Sequence, residues 1–342
     1  MSTKTIPFHC GMNFGFKAPR GYFASTEGMA QPERMAALNI DRVALIVSVY
    51  MDHCASTTIY SDFIETPSDE EVQRIIERFH QVGIRVMLKP FLVLKDSVWQ
   101  GGFTPVEPSE ITAGVVSNYR EKWAASFRAM LSHYADLAQR CGVESICIGN
   151  EYHGVEHFNP EWRDSVAAVR ERFQGLVTSD FVQPTLDRRK VIPQVGQWWQ
   201  ELDFLSMSFY PAFPKADAST EEIVESLQPH VRELRELCAA YSKPLVFAEC
   251  GMRSTSFDPA GAYGYHGQGT YDGHIQGRFL EGVLAAFRKE PWWRGLVWWK
   301  WDEHQHRANY FTDPAGPQTF TVDGKPSSEV MSRLYAGANA VS

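Results

Sequence analysis

Short β-rich runs alternate with amphipathic helical segments along this chain of 342 residues, and that alternation limits the fold more than any other feature. Seven runs have the length and composition of buried strands. They cover residues 8–16, 42–51, 84–94, 143–151, 202–210, 244–250 and 295–301. An eighth strand fits near residues 176–182, ahead of a stretch with poor periodicity. Strands that alternate with helices indicate βα units around a parallel sheet.

Capping signals mark several of the intervening helices. Ser68 opens a helix with a capping box, and a second box at Ser219 opens one that reaches Tyr241. Asn159 is interpreted as an N-cap followed by proline at the first helical position, in a helix that runs to about residue 173. The other predicted helices span residues 118–141, 271–289 and 327–334.

Eight βα units in a chain of this length predict a single (β/α)8 TIM barrel with extended βα loops, with residues 1–342 as one catalytic domain. A doubly wound open sheet is the competing architecture, and it would normally carry a GxGxxG turn after its first strand. Residues 11–15 read Gly-Met-Asn-Phe-Gly and do not fit that turn. The sequence has no low-complexity linker and no internal repeat, which also favours one domain.

Composition excludes several classes of partner. The net charge is −8 with no basic stripe, which argues against nucleic acid and against an anionic membrane as partners. The longest apolar stretch, residues 43–51, is too short to span a bilayer as a helix. The first residues lack an apolar signal-peptide core, so we expect a cytoplasmic protein. The sequence carries no signal for an oligomeric state.

Aromatic residues reach 13 %, including ten tryptophans, which suits a surface that stacks on flat ligands.

Two carboxylates stand where a barrel places its working residues, at the carboxyl ends of strands. The fourth predicted strand ends in Asn150-Glu151, and the seventh ends at Glu249. Glycoside hydrolysis needs such a pair, one carboxyl held protonated and the other ionised. Asn150 can hydrogen-bond a sugar hydroxyl. A single glutamate at a strand end often only pairs with a lysine or arginine, so the prediction depends on the two together.

With these residues in place, the chain resembles the clan A glycoside hydrolases, and more narrowly glycoside hydrolase family 113, the β-1,4-mannanases. The strings that carry the resemblance lie between residues 86 and 301. They are Val86-Met-Leu-Lys-Pro90, Trp99-Gln-Gly101, Ile148-Gly-Asn-Glu-Tyr152, Ser208-Phe-Tyr-Pro211, Lys243-Pro-Leu-Val-Phe-Ala-Glu-Cys-Gly251 and Trp298-Trp-Lys-Trp301.

The resemblance implies a retaining, two-glutamate double displacement on mannan or manno-oligosaccharides, without a metal or an organic cofactor. Glu151 would be the general acid/base and Glu249 the nucleophile. Asn150 would bind the 2-hydroxyl of the reacting sugar, and Tyr210 would hydrogen-bond the nucleophile. Retention would require the two carboxyl groups to lie about 5–5.5 Å apart.

Aromatic and basic residues near other strand ends are expected to contact the sugar. The resemblance implies that Trp301 or Trp299 forms the floor under the reacting sugar, and a spacing of two places both on one face of a strand. Lys89, near the end of the third strand, either donates to a sugar hydroxyl or pairs with a structural carboxylate. Three loop residues are further candidates for the sugar cleft: Trp99, His153 and Trp199. The alternative for the tryptophans is burial beneath the barrel loops.

Three other interpretations stay open. A different clan A specificity, for β-glucan or cellulose, depends on how the cleft handles an axial or equatorial 2-hydroxyl. A non-catalytic carbohydrate-binding barrel would need neither glutamate. The string from His153 to His157 also spells the HxxEH motif of a class of zinc peptidases, which requires both histidines one turn apart on a helix. Gly154 disfavours a helix there, and Asn159 begins one only after the string.

Overall fold

Eight parallel strands close into a barrel in the computed structural model, which describes residues 5–103, 118–212, 214–215, 217–256, 270–303 and 320–339. The barrel strands, labelled β1 to β8 here, are His9–Phe14, Arg42–Met51, Arg85–Leu94, Ser145–Asn150, Leu176–Val182, Leu205–Phe209, Leu245–Cys250 and Trp293–Trp298. Each strand pairs with its neighbour in sequence, and β1 pairs with β8 to close the sheet. The predicted (β/α)8 barrel is confirmed. A separate pair of two-residue strands, Thr255–Ser256 and Thr270–Tyr271, lies outside the barrel.

Helices connect the strands on the outside of the barrel. In the described residues, α1 to α9 are Thr26–Met29, Gln31–Ala36, Asp69–Gln81, Tyr119–Arg140, Asn159–Arg170, Gln183–Val191, Thr220–Tyr241, Ile275–Phe287 and Ser327–Asn339. Short 3-10 helices form at Tyr22–Ala24, Gln100–Gly102, His153–Val155 and Gln197–Glu201. Both predicted capping boxes form, at Ser68 with Glu71 and at Ser219 with Glu222.

Two helix predictions need correction. Asn159 is the first residue of α5 and not its N-cap, because its side chain donates to the carbonyls of His157 and Gln194 and leaves the helix N–H groups uncapped. The stretch after β5, which has poor periodicity, contains α6. Its one clear sequence signal is Pro184 in the first turn, a position that proline favours.

The prediction for the last strand was wrong at its end. β8 stops at Trp298, which pairs with Met12 of β1 and Cys250 of β7. Beyond that point, the N–H of Trp299 still donates to Cys250 and the N–H of Trp301 donates to Asn13. The two tryptophans therefore follow the strand and do not share one pleated face.

The core has two parts, as expected when both faces of a parallel sheet are buried. A large cluster joins the outward faces of the strands to the helices. A smaller cluster fills the barrel interior with residues that alternate with outward-facing ones, including Ala44, Met87, Cys147, Val246 and Val297. Toward the carboxyl ends of the strands this apolar filling gives way to charged side chains, and the candidate site lies there.

Candidate active site

Glu151 and Glu249 reach the same end of the barrel from different strands. Glu249 lies in β7 and is almost fully buried, whereas Glu151 directly follows β4 and is partly exposed. The N–H of Glu151 donates to the carbonyl of Asp180 in β5 at 2.8 Å. Glu151 also has a φ of 59°, a left-handed conformation that costs a residue with a side chain about 1 kcal/mol. The neighbouring strand thus anchors Glu151 in an unfavourable backbone conformation.

Each carboxylate oxygen of Glu249 accepts one hydrogen bond. The ammonium of Lys89 donates to Oε1 at 2.7 Å, and the hydroxyl of Tyr210 donates to Oε2 at 3.1 Å. A carboxylate that only accepts hydrogen bonds, one of them from a cation, is in the arrangement of an ionised group. The predicted contact between Tyr210 and Glu249 is present in the structure.

Glu151 has a different environment. Its Oε2 accepts from the indole N–H of Trp99 at 2.8 Å and from the amide of Gln100 at 3.1 Å. Burial, together with the negative charges of Glu249 and Asp180, raises the pKa of Glu151 to about 8, and the hydrogen bond from Trp99 opposes that rise. The raised pKa favours the protonated form of Glu151 at neutral pH, at the same barrel mouth as the Glu249 carboxylate that Lys89 contacts.

Asp180 is a third carboxylate at the site and was not among the predicted residues. Its Oδ2 accepts from Lys89 at 3.0 Å and from the hydroxyl of Ser208 at 3.1 Å, while its buried Oδ1 has no hydrogen-bond partner among the described residues. Burial, assisted by the charge of Glu249 and opposed by Lys89, raises the pKa of Asp180 to about 7. The signal in the sequence is one acidic residue inside a strand that is buried along nearly its whole length.

Lys89 is fully enclosed beneath the two glutamates. Burial alone would lower the pKa of its ammonium, but the carboxylates of Glu249 and Asp180 outweigh that effect and raise it above the ordinary value. Lys89 was expected either to donate to a sugar hydroxyl or to pair with a carboxylate, and in the structure it pairs with two carboxylates. A contact with a sugar hydroxyl was wrong, because the side chain has no exposed surface.

Asn150 is buried, and neither polar atom of its side-chain amide has a hydrogen-bond partner among the described residues. Its backbone lies in register with Asp180 on the neighbouring strand. A buried amide without partners carries a desolvation cost that a ligand hydroxyl would remove, because a hydroxyl both donates and accepts. The geometry of Asn150 is thus compatible with the expected sugar contact.

Trp299 and Trp301, the two candidates for the floor under the sugar, lie in different parts of the core. Trp299 packs against Phe16, with ring centroids 5.3 Å apart, in a cluster at the barrel mouth that also contacts Tyr210. Trp301 is completely buried in the outer core, and its indole donates to Gln31 of α2 at 2.8 Å. Trp301 as a sugar platform was therefore wrong, because its ring is enclosed in the outer core. Trp299 keeps that candidate role.

The loop tryptophans differ in the same way. Trp99 is 45 % exposed and stacks on His153, with ring centroids 6.4 Å apart. Trp199 has no exposed surface, stacks on Phe181 at 4.4 Å and donates to Glu156 at 3.1 Å. Trp99 and His153 therefore stand beside Glu151 at the rim, whereas a sugar contact for Trp199 was wrong because both of its faces lie in the core.

The HxxEH string does not form the helix that a zinc peptidase needs. His153 begins a single 3-10 turn that ends at Val155, so His157 lies beyond it, and the imidazole of His153 contacts Thr185. Among the described residues no group of three or more His, Cys, Asp or Glu side chains is arranged to hold a metal ion. In the same part of the chain no helix combines the length and apolarity required to cross a membrane.

Comparisons with known proteins agree on one family. The model of Glycoside Hydrolase Family 113 matches residues 12–325. The structure is similar to that of the GH113 β-mannanase AaManA from Alicyclobacillus acidocaldarius in complex with ManMIm. The TM-score is 0.84 and the identity 28 %, over 98 % of this chain and 100 % of that one. No curated protein matches the sequence significantly.

Two further structures share the fold at lower identity. A GH113 β-1,4-mannanase complex has a TM-score of 0.81 and 21 % identity, with 97 % of this chain and 99 % of that chain covered. A β-glucuronidase from Ruminococcus gnavus has a TM-score of 0.57 and 14 % identity, over 96 % of this chain and 50 % of that one. At these identities the likeness supports the barrel fold and no more.

Proposed function

This chain belongs to glycoside hydrolase family 113 and is a glycoside hydrolase, and from that premise we propose that it cleaves β-1,4-mannosidic linkages in mannan or manno-oligosaccharides by a retaining mechanism. The observation that carries the proposal is the contrast between the surroundings of two carboxyl groups at one barrel mouth. Glu249 accepts hydrogen bonds at both oxygens, and the pKa of Glu151 is raised to about 8. The similarity to a GH113 β-mannanase and to a GH113 β-1,4-mannanase supports the choice of linkage.

The first step uses the two carboxyl groups together. An oxygen of Glu249 attacks the anomeric carbon while Glu151 gives its proton to the leaving glycosidic oxygen, which takes the electron pair of the broken bond. The indole of Trp99 and the amide of Gln100 both occupy Oε2 of Glu151. We therefore assign the transferable proton to Oε1, which neither Trp99 nor Gln100 engages.

The second step reverses the roles. Ionised Glu151 takes a proton from water, the hydroxyl attacks the anomeric carbon, and Glu249 leaves as a carboxylate. Loss of the glycosyl group restores the charge that Lys89 and Tyr210 stabilise. Two inversions at one carbon retain the β configuration.

Contacts to the sugar come from the mouth of the barrel. The partnerless amide of Asn150 would take the 2-hydroxyl of the reacting mannose, and the ring of Trp299 would pack beneath it. Trp99 and His153 would line the leaving-group side, since Trp99 donates to the acid/base residue and stacks on His153. Such apolar faces with few polar groups are typical of sugar clefts.

A substrate panel tests the proposal. β-1,4-mannan, mannohexaose, cellohexaose and xylohexaose would be incubated with wild type, Glu151→Gln and Glu249→Gln, and the products separated by chromatography. We expect wild type to cleave the two mannan substrates, with activity lowered about 10³-fold or more in each variant. Cleavage of cellohexaose or xylohexaose in preference would contradict the linkage, and near-normal activity in either variant would contradict the roles.

Glu156→Gln is the matched control for that panel. Glu156 is also a buried carboxyl with a pKa raised to about 8 by burial, and it lies in the loop after β4. Its Oε2 accepts from the indoles of Trp198 and Trp199, contacts that a glutamine oxygen can replace. Because it lies in the outer core, we expect this variant to keep its activity within about twofold of wild type.

A further inference from the structure

Lys89 stands between two carboxylates and has no other charged partner among the described residues. Its Nζ lies 2.7 Å from Oε1 of Glu249 and 3.0 Å from Oδ2 of Asp180, and neither Lys89 nor Asp180 has exposed side-chain surface. For the free enzyme one carboxylate would be enough to neutralise one ammonium. The second carboxylate is therefore an excess buried charge that the resting state does not need.

The proposed reaction changes the charge on one side of this bridge. When Glu249 bonds to the anomeric carbon it becomes a neutral ester, while Lys89 stays enclosed at the same place. A buried ammonium that loses its counter-charge is strongly destabilised, because nothing replaces the lost water or the lost ion pair. The glycosyl-enzyme therefore needs another negative charge within reach of Lys89.

We propose that Asp180 is a positioning residue that takes over as the counter-ion of Lys89 while Glu249 carries the glycosyl group. This inference rests on the proposed function, since it requires a covalent intermediate on Glu249. Lys89 is shared by Glu249 and Asp180 before the step and is held by Asp180 alone after it. Asp180 touches neither substrate nor the reacting atoms and acts through Lys89.

The surroundings of Asp180 are built for this exchange. Ser208 donates to the same Oδ2 that Lys89 contacts, so that oxygen is fixed towards the ammonium by two donors. Ser208 also lies in register with Glu249 on the next strand, so it stands between the two carboxylates that Lys89 contacts. The backbone carbonyl of Asp180 accepts from the N–H of Glu151 at 2.8 Å.

The electrostatic trend runs in the same direction. Burial and the negative charge of Glu249 both raise the pKa of Asp180. Esterification of Glu249 removes that negative charge and so lowers the pKa of Asp180. The ionised form of Asp180 is therefore favoured when Lys89 needs it.

Asp180→Asn separates this role from a structural one because it acts on the two half-reactions in opposite directions. The amide keeps the shape and an oxygen acceptor but cannot balance Lys89. Glu249 is then the sole counter-charge, so losing its charge is harder and regaining it is easier. We expect formation of the glycosyl-enzyme to slow about tenfold or more and its breakdown to accelerate by about threefold or more.

The experiment traps and releases the intermediate in the full-length enzyme. A 2-deoxy-2-fluoro-β-mannobiosyl fluoride would label Glu249, with intact-mass spectrometry following the rate of labelling and, after removal of reagent, the rate of release. Release is a first-order process of labelled, hence folded, molecules and does not depend on how much of a variant folds. Melting temperatures would be recorded beside it.

Thr178→Val is the matched control, because it also removes a buried polar group from the inner side of β5. Thr178 lies two residues before Asp180 in the same strand. Its hydroxyl contacts the hydroxyl of Ser206 at 2.7 Å and donates to the carbonyl of Phe204. We expect both rates of this control to stay within about twofold of wild type. A structural role for Asp180 predicts that Asp180→Asn lowers both rates or neither.

The possible results separate the two proposals. Slower labelling with faster release in Asp180→Asn supports the counter-ion role. Equal slowing of both, unchanged rates, or slower release would overturn it while leaving the retaining mechanism intact. If the wild type cleaves mannan but is never labelled, or cleaves no mannan, the proposed function fails instead.

Discussion

Two glutamates at one barrel mouth have contrasting surroundings, and a few neighbouring atoms make the difference. Glu249 meets an ammonium and a phenol, which both stabilise negative charge. Glu151 lies in a partly desolvated position facing the charges of Glu249 and Asp180, so its carboxyl keeps a proton to higher pH. The neighbours of the two glutamates, above all Lys89 and Asp180, therefore determine which one serves as the acid and which as the nucleophile.

The indole of Trp99 sets part of the pH dependence. With the pKa of Glu151 at about 8, kcat/KM on mannohexaose should fall as pH rises through that value, because the acid loses its proton. The hydrogen bond from Trp99 stabilises the ionised form and so lowers the pKa. In Trp99→Phe the alkaline limb should move upward, by about half a unit to one unit.

A pH–rate profile of both proteins measures this shift. The phenyl ring retains an aromatic face for His153, so stacking is kept while the donor is lost. A downward shift of the alkaline limb, or no shift, would contradict the assignment of that limb to Glu151. Glu156→Gln again serves as the control, since its carboxyl has a similarly raised pKa but lies in the outer core.

Removal of Lys89 should be costly in two ways. Lys89→Met leaves Glu249 and Asp180 buried and facing each other without a cation, which should lower the free energy of unfolding by about 3–5 kcal/mol at neutral pH. It should also lower kcat about 10²-fold or more, since the nucleophile loses its ionic partner.

The stability loss should depend on pH with a definite sign. In Lys89→Met two buried carboxyls face each other without a cation, so their charged forms penalise folding at high pH and the penalty shrinks as pH falls and a proton neutralises one of them. The melting-temperature gap to wild type should therefore be smaller at pH 5 than at pH 8. Tyr210→Phe, which removes only a hydroxyl from Glu249, should show little such pH dependence. A gap that widens on acidification would refute the ion bridge.

Residue-level prediction from sequence succeeded where the strand position alone determined the environment. Glu151, Glu249, Asn150 and Tyr210 could be placed at the barrel mouth because parallel strands end together. Asp180 and Gln100 were missed, since their importance comes from contacts with residues on other strands or loops. Trp299 and Trp301 lie beyond the end of β8, so the alternation of side chains along a strand could not tell which ring faces the mouth.

At the scale of elements, the closing pair of strands limits what the chain tolerates. Gly295 in β8 has a φ of 94°, and a Cβ there would lie 2.2 Å from the carbonyl oxygen of His9 in β1. Backbone atoms of a neighbouring strand cannot move aside without breaking the ladder that closes the barrel. Glycine is thus required by both conformation and close approach.

Gly295→Ala should therefore destabilise the barrel by about 2–4 kcal/mol, measured by urea unfolding. Gly337→Ala is the matched control, since a Cβ at that position of α9 meets nothing within 4 Å. Because alanine favours helix, this control should be neutral or more stable by up to about 1 kcal/mol. Equal stability of the two variants would show that the β1–β8 closure is looser than described.

Element boundaries were predictable where a strand is buried on both faces. The bounds of β2 agree with the sequence pattern because a nearly continuous apolar run marks such a strand. The bounds of β5 also agree, although Thr178, Ser179 and Asp180 separate its apolar ends. α6 was missed because its nine residues are mostly polar and lack a clear apolar stripe. That segment is helical through its tertiary position and its first-turn proline, not through amphipathic periodicity.

At the scale of the whole molecule, the family resemblance read from strings between residues 86 and 301 is confirmed by the match to Glycoside Hydrolase Family 113 over residues 12–325. That residues 1–342 form one catalytic domain stays a prediction. The net charge of −8 is not an obstacle to the proposed substrate, because mannan carries no charge to repel.

An uncharged substrate should make the reaction insensitive to salt. Between about 20 and 500 mM NaCl, kcat/KM on mannohexaose should change by less than about twofold, since electrostatic steering acts only on charged ligands. Initial rates at low substrate concentration measure this directly, with the melting temperature as a check on folding. A steep salt dependence would point instead to a charged glycan as the substrate.

The configuration of the first product tests the central claim most directly. Proton NMR would follow wild-type cleavage of mannohexaose from the first minutes, before mutarotation mixes the anomers, with Glu249→Gln as the blank. Double displacement on Glu249 predicts that the newly formed reducing end appears first as the β anomer and converts slowly to the α form. Initial formation of the α anomer would mean single displacement by water and would contradict Glu249 as the nucleophile.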